Sequence, residues 1–512
     1  MPGTRPPPNV YPAFFVFHFS FFIPPKRVPG IFPFSFFVFR FPPPIMIKHL
    51  CIILIAAAVT STAAARDIVG RWGGKLQVSG FQLRLVLRIQ PGEGGQLTAL
   101  LDSPDQGANG IPCDTVAFAS PRLLVTIPSI GARYEATLSG DTLSGTFTQS
   151  GLSQPLTLTP AEEEDRAALR PQEPSKPYPY RSEEVRFVNP TDGDTLAGTL
   201  TLPTTPGPHP AVALISGSGP QDRDEALMDH KPFLIWADAL TRRGIAVLRY
   251  DDRGVGASTG NFSAATTTDF SRDAEAALDY LRTRPKDIDP RRIGFIGHSE
   301  GGLIAPLVAA RRPDDVGFIV LLSAPGVRGD SLLMMQSDTI MRLTQPDSIR
   351  QATASLNRAV FALLQQDIAD EEALRQALAD TFRRALSEGI IAGPMPHEQV
   401  EPLVAAEVQE VSTPWVRAFV RHAPQPVLRQ VKCPVLAVYG GSDVQVPAAR
   451  NLSAVRQALE AGGNSRVRTI LLPGLNHLLQ PCQTCLPDEY GSIRITVAPE
   501  ALEAVGSWIE KQ

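Results

Sequence analysis

The 512-residue chain has only five cysteines and eight histidines, and its formal net charge is −4. Five cysteines are too few for a disulfide framework, and a nearly balanced, slightly acidic charge provides no electrostatic footprint for nucleic acid. Residues 1–45 contain no Asp or Glu, and their two apolar runs, Phe14–Ile23 and Ile31–Phe41, are broken by His18, Pro33 and Ser35. Each run is about half of the roughly 20 residues that a membrane-spanning helix requires. With 43% hydrophobic and 20% charged residues, the chain is not disordered and has room for two or three packed domains. A globular protein that handles small or neutral molecules is the expectation.

Aromatics and prolines are unevenly spread, because 12 of 24 phenylalanines lie between Phe14 and Phe41 and 12 of 48 prolines precede residue 46. A globular domain does not concentrate them so. After them, Met46-Ile47-Lys48-His49 forms a short basic region, Leu50–Val59 an apolar run and Ala63-Ala64-Ala65 a small-residue cleavage site, the layout of a secretory signal peptide. Residues 46–65 are therefore expected to direct export to a periplasmic or extracellular location, with translation starting at Met46 and residues 1–45 an over-extended start. The alternative is a membrane-associating extension in which Leu50–Val59 is a core helix. Cys51 lies inside the apolar run and not after the cleavage site, which argues against a lipid anchor. Without residues 1–65 the chain loses Arg5, Lys26, Arg27, Arg40 and Lys48 and no acid, leaving −9. The expected product is soluble and acidic, with no stable membrane anchor.

Over residues 66–160 the pattern has period two: Phe81, Leu83, Leu85, Leu87 and Ile89 alternate with Gln82, Arg84, Val86, Arg88 and Gln90, as in a half-buried antiparallel strand. Gly140-Asp141 separates two further strand-like runs as a hairpin turn would. A small all-β barrel or sandwich is predicted there, with no histidine and only Cys113 among its chemically reactive side chains. Residues 161–181, charged and then Pro-rich, read as an extended, solvated linker.

From residue 182 short unalternating apolar runs (Ala211–Ile215, Ile245–Tyr250, Ile293–Ile296, Phe318–Leu322) are separated by helical stretches such as Phe270, Ala274, Ala277, Leu278 and Leu281. This is the pattern of an α/β fold with a doubly wound, mostly parallel sheet. The core is expected over 182–326 and 430–512. Residues 327–429, where Leu374, Leu378, Phe382 and Leu386 recur every fourth position, read as a helical cap over the ligand-binding edge of the sheet.

Gly297-His298-Ser299-Glu300-Gly301 follows a predicted strand and precedes a predicted helix, the context in which G-x-S-x-G presents a nucleophile on a sharp turn. A serine hydroxyl needs a base, and the chain order of this architecture leaves His397, His422 and His477. The first two belong to the cap. His477 follows a strand-like run, Arg468–Leu472, and is the expected base, with a structural loop histidine as the bland reading. Asp443 is the only carboxylate in the segment after Val435–Tyr439 and is the expected orienting acid; an Asx turn is its alternative. For the oxyanion, the backbone N–H of Glu300 and one from Ser216-Gly217-Ser218-Gly219-Pro220 are the candidates, Ser218 the favoured donor within one residue.

On these motifs, together with Gln221-Asp222-Arg223, Asp251-Asp252-Arg253-Gly254 and Leu475-Asn476-His477, residues 181–512 resemble the α/β-hydrolase superfamily, and within it exported bacterial esterases related to serine aminopeptidase (S33)-type hydrolases. The β module is similar to the lipocalin-like domain attached to such enzymes. The resemblance implies a carboxylesterase acting on a small-molecule ester through an acyl-enzyme, with Asp252-Arg253-Gly254 a structural turn. Proline-type aminopeptidase activity on the same fold is the nearest alternative; a catalytically inert ligand-binding protein is the alternative of a different class.

No cofactor is called for, since Gly254-Val255-Gly256 lacks the rest of a dinucleotide fingerprint. Cys482 and Cys485 lie just beyond His477. Three clustered ligands are weak evidence for zinc, and a local disulfide stiffening the histidine loop is the expectation in an oxidising compartment, free thiols the alternative. Met334, Met335, Trp415 and Phe419 are candidate walls of the substrate pocket, although such residues at helical spacing are more often core. The sequence leaves the oligomeric state open.

Overall fold

The computed structural model describes residues 68–78, 81–104, 108–149, 152–161, 170–366, 368, 370–387 and 397–512. The start site, export signal and cleavage site expected within residues 1–65 lie outside them. The chain divides into two compact units on either side of Asp165.

The first unit is entirely antiparallel: β1 (Gly70–Val78), β2 (Phe81–Pro91), β3 (Leu97–Ser103), β4 (Ala108–Cys113), β5 (Thr115–Ala119), β6 (Arg122–Ile127), β7 (Ala132–Ser139), β8 (Thr142–Gln149) and β9 (Leu152–Pro160). They form one sheet in the order β4-β3-β2-β1-β9-β8-β7-β6-β5. Its two edge strands, β4 and β5, are joined by Asp114 alone, so the sheet must curl until its edges approach each other. Of the barrel and the sandwich that the alternation allows, the result is a nearly closed barrel. Leu85, Leu87 and Ile89 point inward with Trp72, Val125, Tyr134, Leu143 and Phe147, so side chains fill the interior.

The second unit carries an eight-stranded sheet: β10 (Arg181–Val188), β11 (Thr195–Leu202), β12 (His209–Ile215), β13 (Ala246–Tyr250), β14 (Ile288–His298), β15 (Phe318–Leu322), β16 (Val435–Gly440) and β17 (Val467–Leu472), in the order β10-β11-β13-β12-β14-β15-β16-β17. Strand β11 pairs antiparallel with both β10 and β13, and the remaining pairs are parallel. Alternate residues of the central strands enter two separate cores. Ala211, Ala213, Ile319, Leu321 and Ala437 meet α2 (Thr267–Arg282) and α3 (Gly301–Arg311). Val212, Leu214, Val320 and Leu436 meet α1 (Pro232–Arg242) and the last helix, Pro499–Ile509. Burial on both faces is why these strands carry no alternation in sequence. With that strand order, the sheet has the α/β-hydrolase fold.

Between β15 and β16 lie α4 (Gly329–Thr344), α5 (Asp347–Gln365), α6 (Glu371–Ser387), α7 (His397–Val411), α8 (Pro414–Arg421) and α9 (Pro424–Leu428), the helical insertion expected over 327–429. Leu374, Leu378 and Phe382 are buried on one face of α6, and the cap's apolar face is continuous with the core under α2 and α3. Helices α10 (Ala448–Ala461) and α11 (Pro499–Ile509) complete the unit.

The linker expected over 161–181 is not a solvated connection in its described part, which runs from Arg170. The Arg170 side chain is 2% exposed and donates to the carbonyls of Met228, Asp229, Gly491 and Ile493 at 2.9–3.1 Å. Gln172 donates to Val497 O at 2.7 Å and accepts from the N–H groups of Thr496 and Val497. Tyr180 donates to Asp238. Prolines deny the segment a backbone ladder, and long polar side chains anchor it to the hydrolase unit instead. Arg170→Met would leave those buried carbonyls without donors, so unfolding of the full chain in urea should show the hydrolase unit destabilised by about 3 kcal/mol. A change within ~0.5 kcal/mol would contradict the anchoring.

Candidate active site

The strand β12 has β13 on one side and β14 on the other. The winding therefore reverses at β12, and the crevice beyond the carboxyl ends of strands at such a switch point is where ligands bind in open α/β sheets. Loops after β12, β14, β16 and β17 converge there.

Ser299 follows β14 directly and has φ 51°, in the left-handed region that a side-chain-bearing residue enters at a cost of about 1–3 kcal/mol. The turn is forced by close packing on both sides. A Cβ on Gly297 would lie 2.1 Å from the Gly301 carbonyl oxygen, and one on Gly301 would lie 2.1 Å from that of Ile215. The N–H of Ser299 donates to Leu322 O at 2.9 Å, which extends the β14–β15 pairing into the turn. Ser299 is thus presented above the sheet, and the N–H of Glu300 stands at the start of α3, where the helix dipole favours negative charge.

His477 and Asp443 come together as the sequence predicts: Nδ1 of His477 lies 2.8 Å from Oδ2 of Asp443. Oδ1 of Asp443 accepts the N–H groups of Gln445 and Val446, each at 2.8 Å. A carboxylate bonded in this way fixes the imidazole tautomer with its proton on Nδ1 and leaves Nε2 as the basic nitrogen. Asn476, fully buried, holds the histidine loop by accepting from Leu478 N–H and Gln480 N–H. Gly440 allows the acid loop to pass it, since a Cβ there would sit 2.4 Å from the carbonyl oxygens of Leu475 and Asn476. Cys482 and Cys485 form a disulfide, so both sulfurs are bonded to each other and neither is a metal ligand. Of the other histidines considered, His422 terminates α8 and His397 begins α7, both in the cap.

Ser299 and His477 line one cleft together with Ser218 and Glu300. Gly217 N–H is committed to Oε1 of Glu225 at 2.6 Å, which leaves Ser218 as the residue of that loop facing the cleft. The loop itself is held by Asp252, whose buried carboxylate accepts from Ser216 Oγ and Gln221 N–H at 2.9 Å. Arg253 pairs with Asp273 at 2.7 Å, so Asp252-Arg253-Gly254 is a structural turn.

The apolar walls are Pro325, Leu332, Leu333, Phe419 and Val446, with Gln336 and Gln445 as neutral polar groups. Of the four candidate wall residues only Phe419 is among them. On α4 the residues Leu332, Leu333 and Gln336 share an arc at 100° per residue, and Met334 and Met335 fall outside it, packed half-buried against the core. Trp415 stacks on Phe419 with ring centroids 4.8 Å apart and donates Nε1–H to Oε1 of Glu300 at 2.8 Å. It shapes the wall from behind. Nothing in the spacing marked Glu225, Gln336 or Gln445, because their partners come from other loops.

The serine aminopeptidase S33 family model matches residues 233–387. The chain is 25% identical to esterase EstD of Thermotoga maritima over 284 residues, covering 56% of this chain and 58% of the relative. It is 32% identical to an uncharacterized protein of Mycobacterium tuberculosis over 126 residues, covering 25% of this chain and 41% of the relative. The chain thus spans less than two thirds of the length of either. Among solved structures, an esterase of Pyrococcus furiosus superposes on 65% of this chain and 93% of its own with a TM-score of 0.38 and 15% identity. The strand order is that of the α/β-hydrolase fold, and the chain is similar over these stretches to the S33 model and to EstD.

Glu300 supplies a test of the site's electrostatics. Its side chain is buried, and desolvation raises its pKa from 4.5 to about 7, against the opposing hydrogen bonds from Thr267 Oγ1 and Trp415 Nε1. A carboxyl that binds its proton more tightly when folded loses stability as pH rises from about 4.5 to about 7, by about 3 kcal/mol in all. Glu300→Gln keeps an acceptor for both donors and removes the titration. Denaturant unfolding against pH should show wild type losing stability relative to this variant across that window; parallel curves would contradict it.

Proposed function

We propose that the chain is a serine carboxylesterase acting on uncharged esters of small to medium acyl groups. The observation that carries this reading is the Asp443–His477 pair opening on the same cleft as a serine at positive φ. In the proposed first step Nε2 of His477 takes the Ser299 proton while Oγ attacks the ester carbonyl, and the oxygen's developing charge is received by the N–H groups of Glu300 and Ser218. Collapse breaks the bond to the alcohol, which leaves with the proton from His477. Water, deprotonated by His477 in turn, attacks the acyl-enzyme and releases the acid and free Ser299. Asp443 keeps the imidazole oriented and stabilises its cationic form throughout.

The cleft's chemistry favours ester over aminopeptidase substrates. An N-terminal ammonium calls for a carboxylate partner, yet the only acid among the wall residues, Glu300, has its Oε1 engaged by Thr267 and Trp415 and a raised pKa. The walls Pro325, Leu332, Leu333, Phe419 and Val446 are apolar and suit an acyl chain. Export remains part of the proposal, supported by the tripartite layout of residues 46–65 and by a Cys482–Cys485 disulfide of the kind that persists in oxidising compartments.

With nitrophenyl esters of graded length, kcat/KM should be greatest for acetyl to butyryl chains and fall at least about tenfold by decanoyl, with no turnover of a prolyl amide. Ser299→Ala should lose about 10⁴-fold or more in kcat and its labelling by a fluorophosphonate. Retained turnover in that variant would sink the serine mechanism.

A further inference from the structure

Two buried side chains that the proposed acyl transfer leaves unused stand between its converging loops. His298 precedes Ser299 in the elbow, and Glu225 lies in the loop after β12 at φ 50°. Nδ1 of His298 is 2.8 Å from Oε1 of Glu225, and its Nε2 is 3.1 Å from the carbonyl oxygen of His477. The same Oε1 accepts the N–H of Gly217 at 2.6 Å. One carboxylate oxygen and one imidazole therefore tie the oxyanion loop, the nucleophile elbow and the backbone of the base to one another.

The protonation state follows from the partners. A backbone carbonyl and an ionised carboxylate both only accept, whereas a neutral imidazole has a single N–H to give. With the Glu225 carboxylate ionised, both contacts of His298 are satisfied together only when the ring is an imidazolium. The other titratable groups facing it are His477, whose ring centroid is 4.8 Å away, and Asp443 behind that ring. Both acids favour the cation. Burial opposes it, and the balance with Glu225 leaves the His298 pKa raised.

We propose that His298 is a positioning residue that works as an imidazolium paired with Glu225, holding His477 and the Gly217-Ser218 loop in register with Ser299. The proposal rests on the serine-esterase reading of the same cleft. It makes the alkaline side of the rate profile meaningful. His298 must be charged to hold both contacts, so activity falls as pH rises through the titration of His298. The rate profile therefore gains an alkaline limb, where a lone base would give a plateau.

Glu225→Gln keeps an acceptor oxygen but removes the charge, so burial now dominates and His298 becomes neutral at lower pH. In the full chain, the alkaline limb of kcat/KM should move to lower pH, and kcat at pH 8 should fall about 10- to 100-fold with KM within about twofold. A wild-type-shaped profile, with or without a lower kcat, would overturn the proposal. Should that variant not fold, long-range ¹H–¹⁵N spectra of the wild type decide the matter. At pH 8 one histidine, absent in His298→Gln, should carry protons on both ring nitrogens, and a singly protonated ring would overturn it. Ser299→Ala assayed alongside separates the two levels. If that variant still turns over, the esterase reading has failed, and the protonation of His298 is still read directly from the spectra.

Discussion

The turn at Ser299 is the constraint on which the rest of the hydrolase unit depends. A residue with a side chain held at φ 51° relaxes unless neighbours on every side forbid it. Here β14 delivers the chain between β12 and β15, the Ile215 carbonyl presses on Gly301, and the Leu322 carbonyl takes the Ser299 N–H. Gly302 completes the packing: a Cβ there would lie 2.3 Å from that of Ala324, at the end of β15. The strain is spread over a sheet buried on both faces, and the turn leaves Ser299 lining the cleft at the head of α3.

Around that turn, four buried acids are distinguished by the donors each receives. Asp443 accepts two backbone N–H groups and an imidazole. Glu225 accepts a backbone N–H and a second imidazole. Asp252 has a hydroxyl and one N–H, and its burial leaves its pKa well above the ordinary carboxylate value. Glu300 has a hydroxyl and an indole N–H, and it too is pushed toward its neutral form. Two of the acids pair with imidazoles behind the cleft, and the other two brace the loop after β12 and the cap.

Much of this was legible in the sequence because it is local. G-x-S-x-G between a strand and a helix, a carboxylate after one strand and a histidine after the next are each contained in a few consecutive residues, and Ser299, Asp443 and His477 stand at the ends of the expected strands. The period change near residue 181 separated the two units for the same reason. What the sequence hid depends on partners far along the chain. Arg170 looked like part of a solvated connection because the carbonyls it binds lie 58 and more than 320 residues away. Met334 and Met335 were plausible walls because spacing reveals a helix's faces but not which one a neighbouring loop turns toward the cleft. His298 stood in plain view within the motif. Its meaning required Glu225, 73 residues earlier.

Glu300 joins the chemistry to the selectivity of the cleft. Its main chain contributes an N–H at the head of α3, while its side chain receives the indole of Trp415 from the cap. Trp415 in turn stacks on Phe419, which forms the wall. The wall's distance from Ser299 is therefore set through two contacts that begin at the residue next to the nucleophile. Through these contacts the cap is fastened to the residue at the start of α3. A bulkier acyl group that pushed Phe419 outward would act on Trp415 and, through it, on Glu300. Under the proposed function, selection for chain length falls on the rate of acyl transfer as well as on binding.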